Sequence, residues 1–365
     1  MGPGEALSER IARRIRAEGP LSLAAFMAMA LHDPDAGYYA TRQPLGGAGD
    51  FTTAPEISQI FGELIGLWVA DLWQRGGRPD PVTLVELGPG RGTLMADLLR
   101  AAASVPEFRR ALRLWLVEAS PVLREEQRRR LSDAAPRFAA EFGAVPEGPL
   151  LLIANEFLDA LPIRQLVRGA AGWAERLVGL DDQGSLVFAI GPESPAAALL
   201  VPETLRDSAA GTVVEIGPAA AALAAAVAER LSEASGAALF LDYGFYPRAP
   251  GPTLAAIRGH RPADPLDRPG SADLSAHVDF AALAAAARAA GADVYGPVPQ
   301  GRFLTALGGE TRLAMLLRGA ALERREALVS GLRRLIDPDE MGNLFQAIAI
   351  VSPGLPAPAG FAGDR

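Results

Sequence analysis

The chain has 365 residues, 49% hydrophobic and 21% charged, with a formal net charge of −8. It contains 0 Cys, 3 His and no Lys, so all 35 Lys+Arg positions are arginine. These absences exclude a disulfide framework, a thiol nucleophile, Cys-ligated metal sites, a Schiff-base lysine and a P-loop lysine, and the acidic balance argues against nucleic acid as a partner.

Residues 5–31 predict two short helices broken at Gly19-Pro20, with Ser22 as the N-cap of the second. The N-terminus lacks the apolar core of a secretory signal. The apolar run Leu21 to Leu31 is too short to span a bilayer. The expectation is a cytoplasmic chain with no stable membrane insertion. Residues 32–56 are rich in Gly, Pro and aromatics and predict a long loop, of a length that is usually functional. Ile57, Ile60, Phe61, Leu64, Ile65, Trp68, Val69 and Leu72 then form one apolar helical stripe that stops near Gly76-Gly77.

Strands and helices alternate from there. Strands are predicted at Val82 to Leu87, Leu112 to Val117, Leu150 to Ala154, Ala238 to Asp242 and Leu344 to Val351. Arg164 to Val167, Glu175 to Leu180 and Leu186 to Ile190 read as a meander, and Thr212 to Ile216 as a further short strand. Helices follow at Leu94 to Ala103, from Ser120-Pro121 to Ser132, at Ala219 to Leu231 and at Ala281 to Ala290. This alternation implies a doubly wound α/β sheet. The arginine run Arg128 to Arg130 reads as a solvated helix face, Gln300 to Phe303 as a rim loop, and Pro353 to Arg365 as a disordered tail.

The strongest chemical signal is Glu86-Leu87-Gly88-Pro89-Gly90-Arg91-Gly92-Thr93, between a buried strand and a helix. Glycines there let the backbone turn sharply and approach a ligand at a helix N-terminus. Thr93 stands where the dinucleotide fingerprint needs Gly or Ala, which disfavours NAD. The alternating glycines, with an acid two residues earlier, resemble motif I of S-adenosylmethionine (SAM) methyltransferases. Glu118 ends the next strand, where a carboxylate can accept two ribose hydroxyls; its alternative is a helix N-terminal acid favoured by the dipole. Asn155-Glu156-Phe157 follows a buried strand and resembles the acceptor-side position of amino-group methyltransferases. Asp242 and Glu215 are weaker acidic candidates. His260, His277 and the carboxylates near them lack ligand spacing, so loops and caps are favoured over a metal.

GDFTTAPEISQIFGELIG (Gly49 to Gly66), ELGPGRGTLMADLLR (Glu86 to Arg100), EASPVLREEQ (Glu118 to Gln127), ANEFLDALPIRQ (Ala154 to Gln165), LDYGF (Leu241 to Phe245), GHRPADPLDRPGSADLSAHVDF (Gly259 to Phe280) and QGRF (Gln300 to Phe303) occur in that order. Together they are similar to the MidA family, over roughly residues 10–352. The resemblance implies a seven-strand Rossmann-like SAM methyltransferase fold with an N-terminal helical segment and a large α+β insertion. Its organisation would be 1–75 helical segment and cofactor-covering loop, 76–156 and 212–352 core, 157–211 strand-rich substrate-side insertion, and 353–365 tail. It implies S-adenosyl-L-methionine as cofactor, held by Glu86, Gly88, Gly90, Gly92, Thr93 and Glu118, with Asp50, Phe51 and Thr53 closing over it. It implies symmetric dimethylation of a protein arginine, with Glu156, Asn155 and Asp242 on the acceptor side. The mitochondrial members act on a subunit of respiratory complex I, which makes an NADH dehydrogenase subunit the candidate partner here. A SAM-binding assembly factor acting by docking and a small-molecule methyltransferase are the alternatives. Oligomeric state is not legible.

Overall fold

The computed structural model describes residues 6–41 and 52–361. The main sheet runs through β1 (Val82–Leu87), β2 (Leu112–Val117), β3 (Arg137–Ala139), β4 (Leu150–Asn155), β5 (Gly236–Phe245), β6 (Asp293–Pro299) and β7 (Phe345–Val351). Their spatial order is β6-β7-β5-β4-β1-β2-β3, and the two-residue strand Val278–Asp279 pairs on β5 as an eighth. From β5 to β3 all neighbours are parallel, whereas β7 is antiparallel to both β5 and β6. The chain winds outward from β1 through β2 and β3, then returns to lay β4 on the other side of β1. The crevice between β1 and β4 is therefore the switch point, where ligands bind in open α/β sheets.

Both faces of the sheet are covered, which is why its strands read as continuous apolar runs. Successive residues alternate between the two cores: Leu151 and Ile153 face one side, Leu150, Leu152 and Ala154 the other. Among the helices, in chain order, are α1 (Leu7–Glu18), α2 (Leu23–His32), α3 (Gln59–Arg75), α4 (Thr93–Ala102), α5 (Pro121–Arg130), α6 (Pro218–Glu233), α7 (Phe280–Ala289), α8 (Gln300–Ala306) and α9 (Leu322–Ile336). Trp68 and Phe61 of α3 pack in the first core with Leu94 and Leu98 of α4; Val227 of α6 and Leu283 of α7 fill the second. Ser22 and Ser120 cap α2 and α5 as expected, each accepting a backbone N–H three residues on. The apolar stripe from Ile57 is interrupted once, at Ser58, which separates the turn Ala54–Ile57 from α3 and caps the latter.

The inserted sheet is antiparallel and joins Leu21–Ser22, Arg164–Arg168, Trp173–Leu180, Leu186–Ile190 and Val213–Ile216. Val213–Ile216 pairs with Arg164–Val167, so the strand at the expected return point of 212 belongs to this sheet. The segments around His260, read as loops and caps, contribute instead to a small three-stranded sheet of Ala255–Arg258, Arg261–Ala263 and Asp273–Ser275. Its tight turn uses the left-handed backbone of Gly259 and His260. Gln300 to Phe303 is not a rim loop: it starts α8, with Gln300 and Phe303 fully buried. The tail is not disordered through residue 361 either. Trp68 Nε1 donates to Ala359 O at 3.0 Å, and buried Phe361 packs on Phe303 with ring centroids 5.1 Å apart. One buried phenyl ring contributes about 1.5–3 kcal/mol, enough to anchor a Pro/Gly/Ala segment.

Candidate functional site

The glycine loop leaves β1 at its carboxyl end. Gly88, Gly90 and Gly92 have φ of 61°, 53° and 76°, the left-handed region that side chains disfavour. Gly88 also has no room for a side chain: a Cβ there would lie 2.7 Å from Cδ2 of Phe157, on the loop after β4. The glycine loop and the β4 loop are thus in direct contact. Gly92 heads α4, whose first N–H groups face the crevice end of the sheet.

Glu86 lies under this loop, 3% exposed. Burial pushes its carboxyl up to about 8, and Oε2 has no hydrogen-bond partner among the described residues. Such an orphaned acceptor is costly unless something donates to it. Glu118, half-buried at the end of β2, takes the Ser120 N–H on Oε1 at 2.7 Å, so the helix-terminal alternative accounts for one oxygen. Its Oε2 takes a long 3.4 Å contact from Gln127 Nε2. Burial raises Glu118, and the Ser120 amide and Gln127 pull it back. Gln127, fully buried on α5, donates to Gly90 O at 2.6 Å and so ties the loop to Glu118. Sequence reading passed over it as one polar residue in a polar helix. The usable signal was its place four residues after Leu123, the other buried position of α5.

The Thr93 hydroxyl is engaged on both its donor and its acceptor side. Thr93 Oγ1 donates to Glu56 Oε1 at 2.5 Å and accepts from Arg130. Arg128 to Arg130 form an exposed helix face as expected, and from it Arg130 also reaches the Thr93 hydroxyl. Arg91 binds Glu126 at 2.8 Å and lies 3.8 Å from Glu56. Thr53 precedes the turn Ala54–Ile57 without a side-chain cap bond. Asp50 and Phe51 lie outside the described residues.

On the β4 side, Glu156 adopts a left-handed φ of 50°, uncommon for a residue with a side chain. Its N–H is held by Leu241 O at 2.9 Å, which joins the ends of β4 and β5. Glu156 Oε1 accepts from Ala54 N at 2.9 Å and from Asn155 Nδ2 at 3.1 Å. Burial pushes Glu156 up to about 7, against the pull of the Ala54 amide. Asp242 is placed differently from the expectation of an acceptor-side group. It is 1% exposed; Oδ2 accepts from the amides of Phe157, Leu158 and Asp159, and Oδ1 from Tyr243 N. Four backbone donors leave it to brace the loop that presents Glu156. Glu215 is likewise consumed, by Gln165, Thr253 and the Leu254 amide. Asp159 pairs with the Tyr243 hydroxyl at 2.7 Å and was not anticipated.

A buried carboxyl with an unpartnered oxygen, a glycine cradle at a helix N-terminus and a second acid beside it suit a ligand carrying polar N–H or O–H donors and a ribose. The donor set fits SAM. No group of three His, Asp or Glu stands ready for a metal among the described residues. No described helix is long and apolar enough to cross a membrane.

Fold and site together define a SAM-dependent methyltransferase. Residues 64–298 match the family model described as "putative S-adenosyl-L-methionine-dependent methyltransferase". The chain belongs to that family, the MidA family of the motif comparison above. It is 34% identical to human mitochondrial protein arginine methyltransferase NDUFAF7, over 93% of this chain and 81% of that protein. It is 35% identical to the Drosophila melanogaster homologue, over 96% and 85%. A crystal structure from Burkholderia thailandensis, bound to S-adenosyl-homocysteine, superposes with a TM-score of 0.85 at 34% identity, covering 100% of this chain and 98% of that one. These curated relatives are named mitochondrial, which overturns the cytoplasmic expectation.

Proposed function

We propose that this methyltransferase modifies protein arginine, with Glu156 as the group that orients and deprotonates the acceptor. The observation that carries the reading is the Glu156 carboxyl, poised at about 7 and fixed at the mouth of the β1–β4 crevice. The relatives' name, protein arginine methyltransferase, supports the same acceptor.

Gly88, Gly90, Gly92 and Glu86 would hold the methionine part of the cofactor, and Glu118 Oε2 its ribose. Bound there, the sulfonium supplies an electrophilic methyl group. The acceptor guanidinium is a cation with a pKa above about 12, so it needs help to offer a nitrogen lone pair. Glu156 Oε1 is already engaged by Ala54 and Asn155, which leaves Oε2 for an N–H of the guanidinium. A carboxylate there aligns one nitrogen, neutralises its charge and takes the proton released as the N–C bond forms and the C–S bond breaks. Asp242 and Asn155 act by holding Glu156 in place.

The candidate substrate is an NADH dehydrogenase subunit, dimethylated symmetrically. Mass spectrometry of arginine methylation in a deletion strain against its parent tests this. Loss of one symmetric dimethylarginine from such a subunit supports the proposal. An unchanged arginine methylome refutes it and favours docking.

A further inference from the structure

One short turn touches both halves of the site. Ala54–Ile57 presents the Ala54 N–H to Glu156 Oε1 at its front end. Two residues on, Glu56 accepts from Thr93 Oγ1 at 2.5 Å, and Thr93 is the first residue after the glycine loop. Arg130 donates to the same hydroxyl, and Arg91 of the loop lies 3.8 Å from the other Glu56 oxygen. Behind the turn, α9 comes close at Gly331, where a Cβ would lie 2.9 Å from Ile57 O. The turn is therefore seated on four elements: the glycine loop, α4, the β4 loop and α9.

We propose that Ala54–Ile57 is a positioning element that couples the glycine loop to Glu156, with the Glu56–Thr93 hydrogen bond as its link. The role for Glu156 rests on the methyltransferase reading above; the coupling itself does not. When a ligand settles on the glycine loop it restrains Thr93, Thr93 restrains Glu56, and the Ala54 amide is held against the Glu156 carboxylate. The charged groups facing Glu156 are Asp159 beside it, Asp242 beneath the loop and Arg334 from α9. Each of these sits on a braced element, so the Ala54 amide is the donor whose position depends on the turn. The arrangement makes Glu56 and Thr93 positioning residues that act through Ala54.

The test is hydrogen–deuterium exchange of the full-length protein over residues 53–58, with and without S-adenosylhomocysteine. Thr93→Val removes the donor at nearly constant volume, and Glu56→Gln keeps an acceptor but removes the charge. In the wild type the ligand should slow exchange across this segment. In T93V that ligand-dependent slowing should shrink by about fivefold, the equilibrium effect of one ordinary hydrogen bond. In E56Q most of it should persist. A T93V protein that binds the ligand and is protected like the wild type overturns the coupling, as does a wild type whose segment ignores the ligand. A protein that shows the coupling but methylates no arginine refutes the proposed acceptor alone.

Discussion

Glu156→Gln removes one charge at the end of β4 while keeping volume and hydrogen-bonding atoms. The structure sets the expected pH response. Burial raises the carboxyl to about 7; nearby Asp159 adds to this, and the Ala54 amide, the Asn155 side chain and Arg334 oppose it. The ionised form is the one that can hold a guanidinium, which itself stays protonated across the range. A group with that midpoint is about 10% ionised at pH 6 and about 90% at pH 8, so kcat/KM for the acceptor should rise about ninefold between them. The charge acts on positive charge that must be shed at the reacting nitrogen, inside a partly dry cleft. Removing it should lower kcat by about 100- to 1,000-fold, or ~3–4 kcal/mol. Initial rates with methyl-labelled SAM across this range measure both effects. A wild-type profile without a limb near neutrality, or an E156Q profile that retains one, would refute the assignment.

Other consequences follow from the same geometry. Glu86 keeps its proton in the folded state up to about 8, against a usual value of 4.5. Its contribution to stability is therefore full below about 4.5 and lost as pH rises through 8. Melting of wild type against Glu86→Gln should show the wild type losing ~3 kcal/mol relative to the variant between about pH 6 and pH 9; parallel curves would contradict this. Gly88→Ala puts a Cβ 2.7 Å from Phe157 at a left-handed φ of 61°. The backbone alone costs ~1–2 kcal/mol, so calorimetry should find S-adenosylhomocysteine bound at least about tenfold more weakly. Asp242→Ala deprives four backbone N–H groups of their acceptor and should cost ~3 kcal/mol or more in chemical denaturation. A neutral result there would return Asp242 to the acceptor side.

What the sequence disclosed, it disclosed through local constraint. Gly88, Gly90 and Gly92 were legible because a strand must turn into a helix there with left-handed backbone. Glu118 and Glu156 were legible because they end buried strands. Asp242 ends a strand too, and nothing local distinguishes an acid that meets a ligand from one that meets four amides. That difference is made by the 157–159 loop, far away in the chain. Thr93 and Gln127 show the same limit: their partners, Glu56 and Gly90, lie 37 residues away. Phe361 was hidden by the Pro and Gly around it, since composition does not reveal that Phe303 and Trp68 leave a place for one ring. The inserted sheet was read as strands correctly, but its pairing with residues 21–22 and 213–216 is a tertiary fact.

The central claim is methyl transfer to arginine under the control of Glu156. The most direct measurement incubates the purified protein with methyl-labelled SAM and an NADH dehydrogenase subunit, then hydrolyses the product to amino acids. Label should appear in symmetric dimethylarginine, and almost none when Glu156→Gln replaces the wild type. Label in any other residue, or equal label from the two proteins, would contradict it.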